Sequence, residues 1–123
     1  MKLHQANTRN GHTLTGYGAG YVSVNGTRYE YPLIVTPDAL PRPWAVTAVT
    51  DLSAESTGLL LAELPDIVII GTGQTQIFPR PAQMRPLIEA GIGLEIMNTP
   101  AACRTYNVLM GEGRRVLAAM FLP

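Results

Sequence analysis

An α/β domain is the fold class this sequence predicts, and three patterns predict it. Short β-branched runs, of which Ile67-Val68-Ile69-Ile70 is the clearest, recur after residue 44. Between them lie segments whose apolar residues fall at helical spacing, the alternation that builds a largely parallel sheet with helices on its faces. Ahead of both, residues 14–35 alternate apolar and polar about Asn25-Gly26, the dipeptide that suits a type I′ hairpin turn.

The elements follow in order. Tyr17, Tyr21, Val22 and Val24 precede the Asn-Gly turn, and Tyr29, Tyr31, Leu33 and Val35 follow it, so one β-hairpin is expected to span Leu14 to Val35. A proline-punctuated connection, Asp38 to Pro43, leads to an apolar stretch read as a strand, Trp44 to Val49. Asp51 or Ser53 is positioned to cap a helix running to about Glu63, with Leu59, Leu60 and Ala62 facing inward. Ile67 to Ile70 reads as a strand buried on both faces. Gly71-Thr72-Gly73 ends it. A second helix opens at Pro81, with Met84, Leu87, Ile88 and Gly91 on one face, and Gly91 and Gly93 close it. Leu94 to Met97 is a brief strand. Asn98 or Thr99 then caps a third helix whose stripe is Ala102, Tyr106, Leu109 and Met110. Gly111 to Gly113 breaks that helix, and Val116 to Leu122 returns as a final strand. The order is a hairpin and then β-α-β-α-β-α-β, with the hairpin covering one side of the sheet.

Composition narrows the function classes. The chain has 123 residues, enough for one domain spanning residues 1–123 in which roughly two thirds of the unfolded surface is buried. Nine basic and nine acidic side chains give a formal net charge of +0, without the basic excess that nucleic-acid binders carry. A lone cysteine, Cys103, leaves no disulfide framework and no multi-cysteine zinc site. No apolar run approaches the ~20 residues of a membrane-spanning helix. The polar start, Met1 to Asn10, does not read as a signal peptide. A protein of the reducing cytoplasm with no metal and no cofactor is the expectation.

The chemistry-bearing residues are few. Gly71-Thr72-Gly73 at the carboxyl end of a buried strand lies where open α/β sheets bind ligands. The dinucleotide fingerprint wants a third glycine where Gln76 stands, and Pro79 and Pro81 delay the helix. The segment therefore reads first as a tight turn, with nucleotide or small-molecule binding as the alternative. Arg104, Thr105 and Asn107 share the polar side of the third helix and, with Gly71, Thr72, Gly73 and Gln74, form the candidate cleft or partner-binding site. Cys103 reads as a small buried residue packed on the sheet. The alternative is a thiol activated by its place near the helix start and by Arg104. His4 and His12 have no metal-ligand spacing, and Asp51, Asp66, Glu89 and Glu95 form no acid–base pair.

Three stretches are familiar: Tyr29-Glu-Tyr-Pro-Leu-Ile34, Ile69-Ile-Gly-Thr-Gly73, and Thr99-Pro-Ala-Ala-Cys-Arg-Thr-Tyr-Asn-Val-Leu109 with Glu112, Arg114 and Arg115. Together they resemble the Mth-domain family over nearly the whole chain. The resemblance implies a three-layer α/β fold, with a central mixed sheet, an additional β-layer, and a last strand antiparallel to its neighbours. It implies no enzymatic reaction. Mitochondrial members of the family act as non-catalytic assembly factors with protein partners. Without an arginine-rich presequence, this chain looks like a bacterial relative. A protein partner is expected, in respiratory assembly or membrane-protein biogenesis.

Overall fold

The computed structural model describes residues 11–123, so His4 lies outside the described residues. Two sheets form. The first is a three-stranded antiparallel meander, β1 (Leu14–Gly18), β2 (Tyr21–Val24) and β3 (Thr27–Tyr29). Its β2–β3 turn is the Asn25-Gly26 pair, both left-handed at φ 49° and 85°, as a type I′ turn requires. The single hairpin expected over residues 14–35 is therefore corrected. Pro32 interrupts the second arm, and β4 (Leu33–Val35) joins the other sheet. Alternation continues across the break, so hydrophobic patterning alone could not reveal the change of sheet.

The second sheet has five strands in the order β5-β4-β8-β6-β7, with β5 (Arg42–Pro43), β6 (Ile67–Thr72), β7 (Gly93–Met97) and β8 (Val116–Phe121). β6 pairs parallel with both β7 and β8, while β4 runs antiparallel to β8 and to β5. The sheet is mixed, as the resemblance implied, but β8 is antiparallel to one neighbour only. The strand expected at Trp44 to Val49 is absent. Those residues form an irregular cover in which Trp44, Val46 and Val49 are buried and Trp44 packs on Phe121 at 5.0 Å.

Each face of the five-stranded sheet has its own core. Val68, Ile70, Leu117 and Ala119 face Trp44, Leu52, Leu60, Met84 and Leu87, beneath α1 (Ala54–Gly58) and α2 (Pro81–Glu89). Ser53 caps α1 by accepting from Ser56 N at 3.1 Å. The helix then tightens into a 3₁₀ turn, Leu59–Glu63, that buries Leu60 and exposes Leu59, contrary to the inward expectation for Leu59 and Ala62. Tightening rotates each later side chain away from the α-helical stripe. On α2, Met84 and Leu87 go inward and Ile88 does not. Gln83, buried in the first turn of α2, donates to Val49 O at 3.0 Å and Leu52 O at 2.9 Å, so the irregular cover hangs from one side-chain amide.

On the opposite face, Ile69, Val116, Ala118 and Met120 meet Ala102, Cys103, Tyr106 and Met110 of α3 (Thr99–Gly111), together with Leu14, Tyr17, Val22 and Val24 of the meander. This is the additional β-layer. It is tied to α3 by polar bonds across the chain: Tyr106 Oη donates to His12 O at 2.7 Å, while Asn107 donates to Leu14 O at 2.8 Å and accepts from Leu14 N at 2.9 Å.

Candidate functional site

β6 leads into α2 on one face of the sheet, and its neighbour β7 leads into α3 on the other. The two connections part between the carboxyl ends of these strands, and such a topological switch point is where open α/β sheets place ligands. Gly71, Thr72, Gly73 and Gln74 stand there.

Gly71 and Thr72 complete β6, and the turn begins at Gly73, whose φ of +99° explains that glycine. Gly71 is explained by space. A Cβ there would lie 2.9 Å from Thr99 Oγ1 and 3.1 Å from both Ala102 Cβ and Met120 Cγ. Thr99, fully buried, joins the turn to α3. It accepts from Gly73 N at 2.9 Å, donates to Phe121 O at 2.6 Å, and gives its own N–H to Gly73 O at 2.8 Å. Asn98 caps the helix, its Oδ1 taking Ala101 N at 2.8 Å.

Thr72 bridges strand and loop. Its hydroxyl donates to Thr75 O at 2.7 Å, with Met97 O also in reach at 3.2 Å, and accepts from Ile77 N at 3.0 Å. Gln74 is exposed. The other predicted site residues lie farther along α3, towards β1. Arg104 is exposed and donates to the Tyr17 hydroxyl at 3.2 Å, Thr105 is half-buried, and Asn107 spends its amide on Leu14. The structure thus gathers the glycine turn on the first turn of α3 and directs Arg104 and Asn107 to the meander. Their surface-facing members are Gln74 and Arg104, with Thr105 at the margin.

Cys103 is fully buried, with Sγ 3.8 Å from Met120 Sδ. Burial pushes its thiol up to about 12, against a smaller lowering by Arg104. Burial likewise raises the Tyr106 phenol, and Asp38 adds to the effect. Neither group is poised to ionise near neutral pH. Among the described residues no group of three His, Cys, Asp or Glu side chains is placed to hold a metal ion, and no helix is long and apolar enough to cross a membrane.

Sequence reasoning missed Thr99 as the joint between turn and helix, and it missed the exposed pair Ile77-Phe78 beside Gln76. The signal for Thr99 was its place between Asn98 and Pro100, where only one residue serves as the cap. The signal for Ile77-Phe78 was two large apolar residues in a segment otherwise reading as polar loop. A separate cleft of about 320 Å³ opens at the other end of the sheet, lined by Thr36, Asp38, Glu63, Pro65, Arg115 and Val116 among others.

A mixed sheet with helices on one face, and with α3 and a β-meander on the other, defines a small three-layer α/β domain with a glycine turn at its switch point. The chain belongs to the family described as protein of unknown function (DUF498/DUF598), whose model matches residues 14–121. It is 36% identical over 106 residues to NADH dehydrogenase [ubiquinone] 1 alpha subcomplex assembly factor 3 of Bos taurus, covering 85% of this chain and 56% of that protein. This chain therefore spans little more than half of the bovine relative. It is 31% identical over 101 residues to the 13 kDa major membrane protein of Francisella tularensis, covering 81% of this chain and 82% of that one. A solved Bordetella pertussis structure, described as an Mth938-like domain, superposes with a TM-score of 0.78 at 35% identity, covering 98% of this chain and 92% of that chain.

Proposed function

We propose that this chain is a non-enzymatic protein-binding factor of the cytoplasm, related in role to respiratory complex I assembly factor 3. We further propose that it meets its protein partner through the surface around Gly71, Thr72, Gly73, Gln74, Arg104, Thr105 and Asn107. The observation that carries the reading is the 36% identity with the bovine assembly factor across 85% of the chain. The site geometry divides the labour. Gly71, Thr72, Gly73 and Asn107 hold the shape through the contacts described above. Gln74 and Arg104 are exposed and supply the polar surface a partner would read. Affinity capture from the cells that make the protein tests this, comparing wild type with a Gln74→Glu/Arg104→Glu variant. The expected outcome is specific enrichment of subunits of a membrane-bound respiratory complex by wild type, and its loss with the variant. Identical background in both captures sinks the reading. A phosphorylated metabolite that raises the melting temperature would favour a small-molecule site at the switch point instead, since saturation at a hundredfold Kd adds about 2.7 kcal/mol.

A further inference from the structure

The loop after the glycine turn exposes two large apolar side chains beside its polar ones. Hydrogen bonds hold its backbone in place: the Thr72 hydroxyl takes Ile77 N at 3.0 Å, Gln76 Nε2 donates to Ile96 O at 2.9 Å, and Arg80 N donates to Gln83 Oε1 at 2.7 Å. Its apolar side chains turn outward, leaving Ile77 45% and Phe78 71% exposed. Pro79 and Pro81 fix φ in the segment just beyond the pair.

The charges nearest this tip along the chain are basic. Arg80 and Arg85, both exposed and outside any ion pair among the described residues, follow the tip, with the exposed Glu89 a turn beyond Arg85 and the exposed Glu95 on β7. Gln74, Thr75 and Gln76, which lead up to the tip, carry no charge. Nothing in the loop itself would have to bring a charged group out of water for Phe78 to enter an apolar phase.

We propose that Ile77 and Phe78 dock this protein on an anionic lipid surface, with Arg80 and Arg85 at the depth of the phosphates. Two exposed apolar side chains followed by exposed cations are the paired signals that give reversible surface binding. Long arginine stems let the guanidinium reach headgroups while the stem lies along the apolar tip. The inference is independent of the assembly reading.

The test is flotation of the protein with phosphatidylcholine vesicles and with phosphatidylcholine–phosphatidylglycerol vesicles, at low and high salt. Binding is expected to the anionic mixture at low salt and to fall steeply as salt screens the arginines. Ile77→Ser/Phe78→Ser lowers that binding by about tenfold, through the loss of two apolar side chains. Arg80→Glu lowers it by at least about fivefold, the factor each basic side chain supplies near an anionic surface. Both variants keep the wild-type melting temperature, because the changed side chains are exposed. In a Phe78→Trp variant, anionic vesicles shift the emission to the blue, while the buried Trp44 supplies a constant background. Equal partition onto neutral and anionic vesicles overturns the proposal, as does full binding by the double serine variant. Unmoved Phe78→Trp emission, with loss of a protein partner from the double variant in cells, overturns it in favour of a protein-binding tip.

Discussion

The two ends of β6 are organised differently. At the carboxyl end, Gly71 lets α3 come down onto the sheet, and Thr99 engages Gly73, Phe121 and its own helix start, so the backbone groups there are spent within a few ångströms. At the amino end, the chain enters through Leu64, a leucine at φ 54° and ψ 52° with most of its side chain in solvent. Beside it lies the cleft of about 320 Å³, where Arg115 reaches Leu64 O at 3.3 Å and Glu63 pairs with Arg42 rather than with the cleft's own arginine. One end is packed tightly around Gly71 and Thr99, and the other sets a left-handed leucine beside a cleft.

The largest expected effect is at the tight end. Gly71→Val places a branched side chain where even a Cβ is 2.9 Å from Thr99 Oγ1, and should cost about 3–4 kcal/mol as α3 is pushed off the sheet. A chemical-denaturation loss below about 1 kcal/mol would mean that the tight end yields as readily as the open one. Thr99→Val keeps the volume but removes the acceptor for Gly73 N and the donor to Phe121 O; about 2 kcal/mol is expected, read the same way. Alkaline pH probes the core beneath α3. The Cys103 thiol is held protonated in the fold at pH values where the unfolded chain ionises it. The thiol's contribution to stability is therefore level below about pH 9 and is lost by about 1 kcal/mol per unit as pH rises towards 12. Cys103→Ala should flatten part of that decline, and the native thiol should label slowly without denaturant. Rapid native labelling would show that α3 opens.

At the open end the sign reverses. Leu64→Gly relieves the left-handed leucine and should raise stability by about 0.5–1 kcal/mol, the strain released less the added freedom of the unfolded chain. A loss there would show that Leu64 makes contacts worth more than its strain. Smallest of all, Phe78→Ser should move the melting midpoint within about 0.5 kcal/mol of wild type, because the ring contributes to the surface and little to the core.

How much of this was legible depends on the length scale of the signal. The buried run Ile67 to Ile70, the Asn25-Gly26 turn, the start of α2 at Pro81 and the stop at Gly91 are local chemistry, and each appears where local chemistry put it. The transfer of Leu33–Val35 to a second sheet and the irregular course of Trp44 to Val49 involve partners far along the chain, β8 in the first case and Phe121 and Gln83 in the second. No window of a dozen residues contains that information. The site divides in the same way. The glycine turn was visible as a turn. Asn107 and Arg104 were visible as polar helix residues, but their commitment to Leu14 and Tyr17, about ninety positions away, was not. Ile77 and Phe78 were passed over because apolar residues in a loop carry no periodicity.

The position of β8 has a consequence for how the chain acquires its structure. The strand that follows all the others in sequence lies in the middle of the sheet, between β4 and β6. Until it is made, β4–β5 and β6–β7 are two ribbons with no hydrogen bonds between them, each offering an open apolar edge. The meander can close on its own local turns, yet its attachment to Tyr106 and Asn107 waits for α3. A nascent chain stopped before Val116 is therefore not a smaller version of this protein. It has a split sheet, and the edges left open are those most able to pair with another copy. Pairing across the centre of the sheet therefore waits for Val116–Phe121, and the facing edges of β4 and β6 stay open until that strand is available.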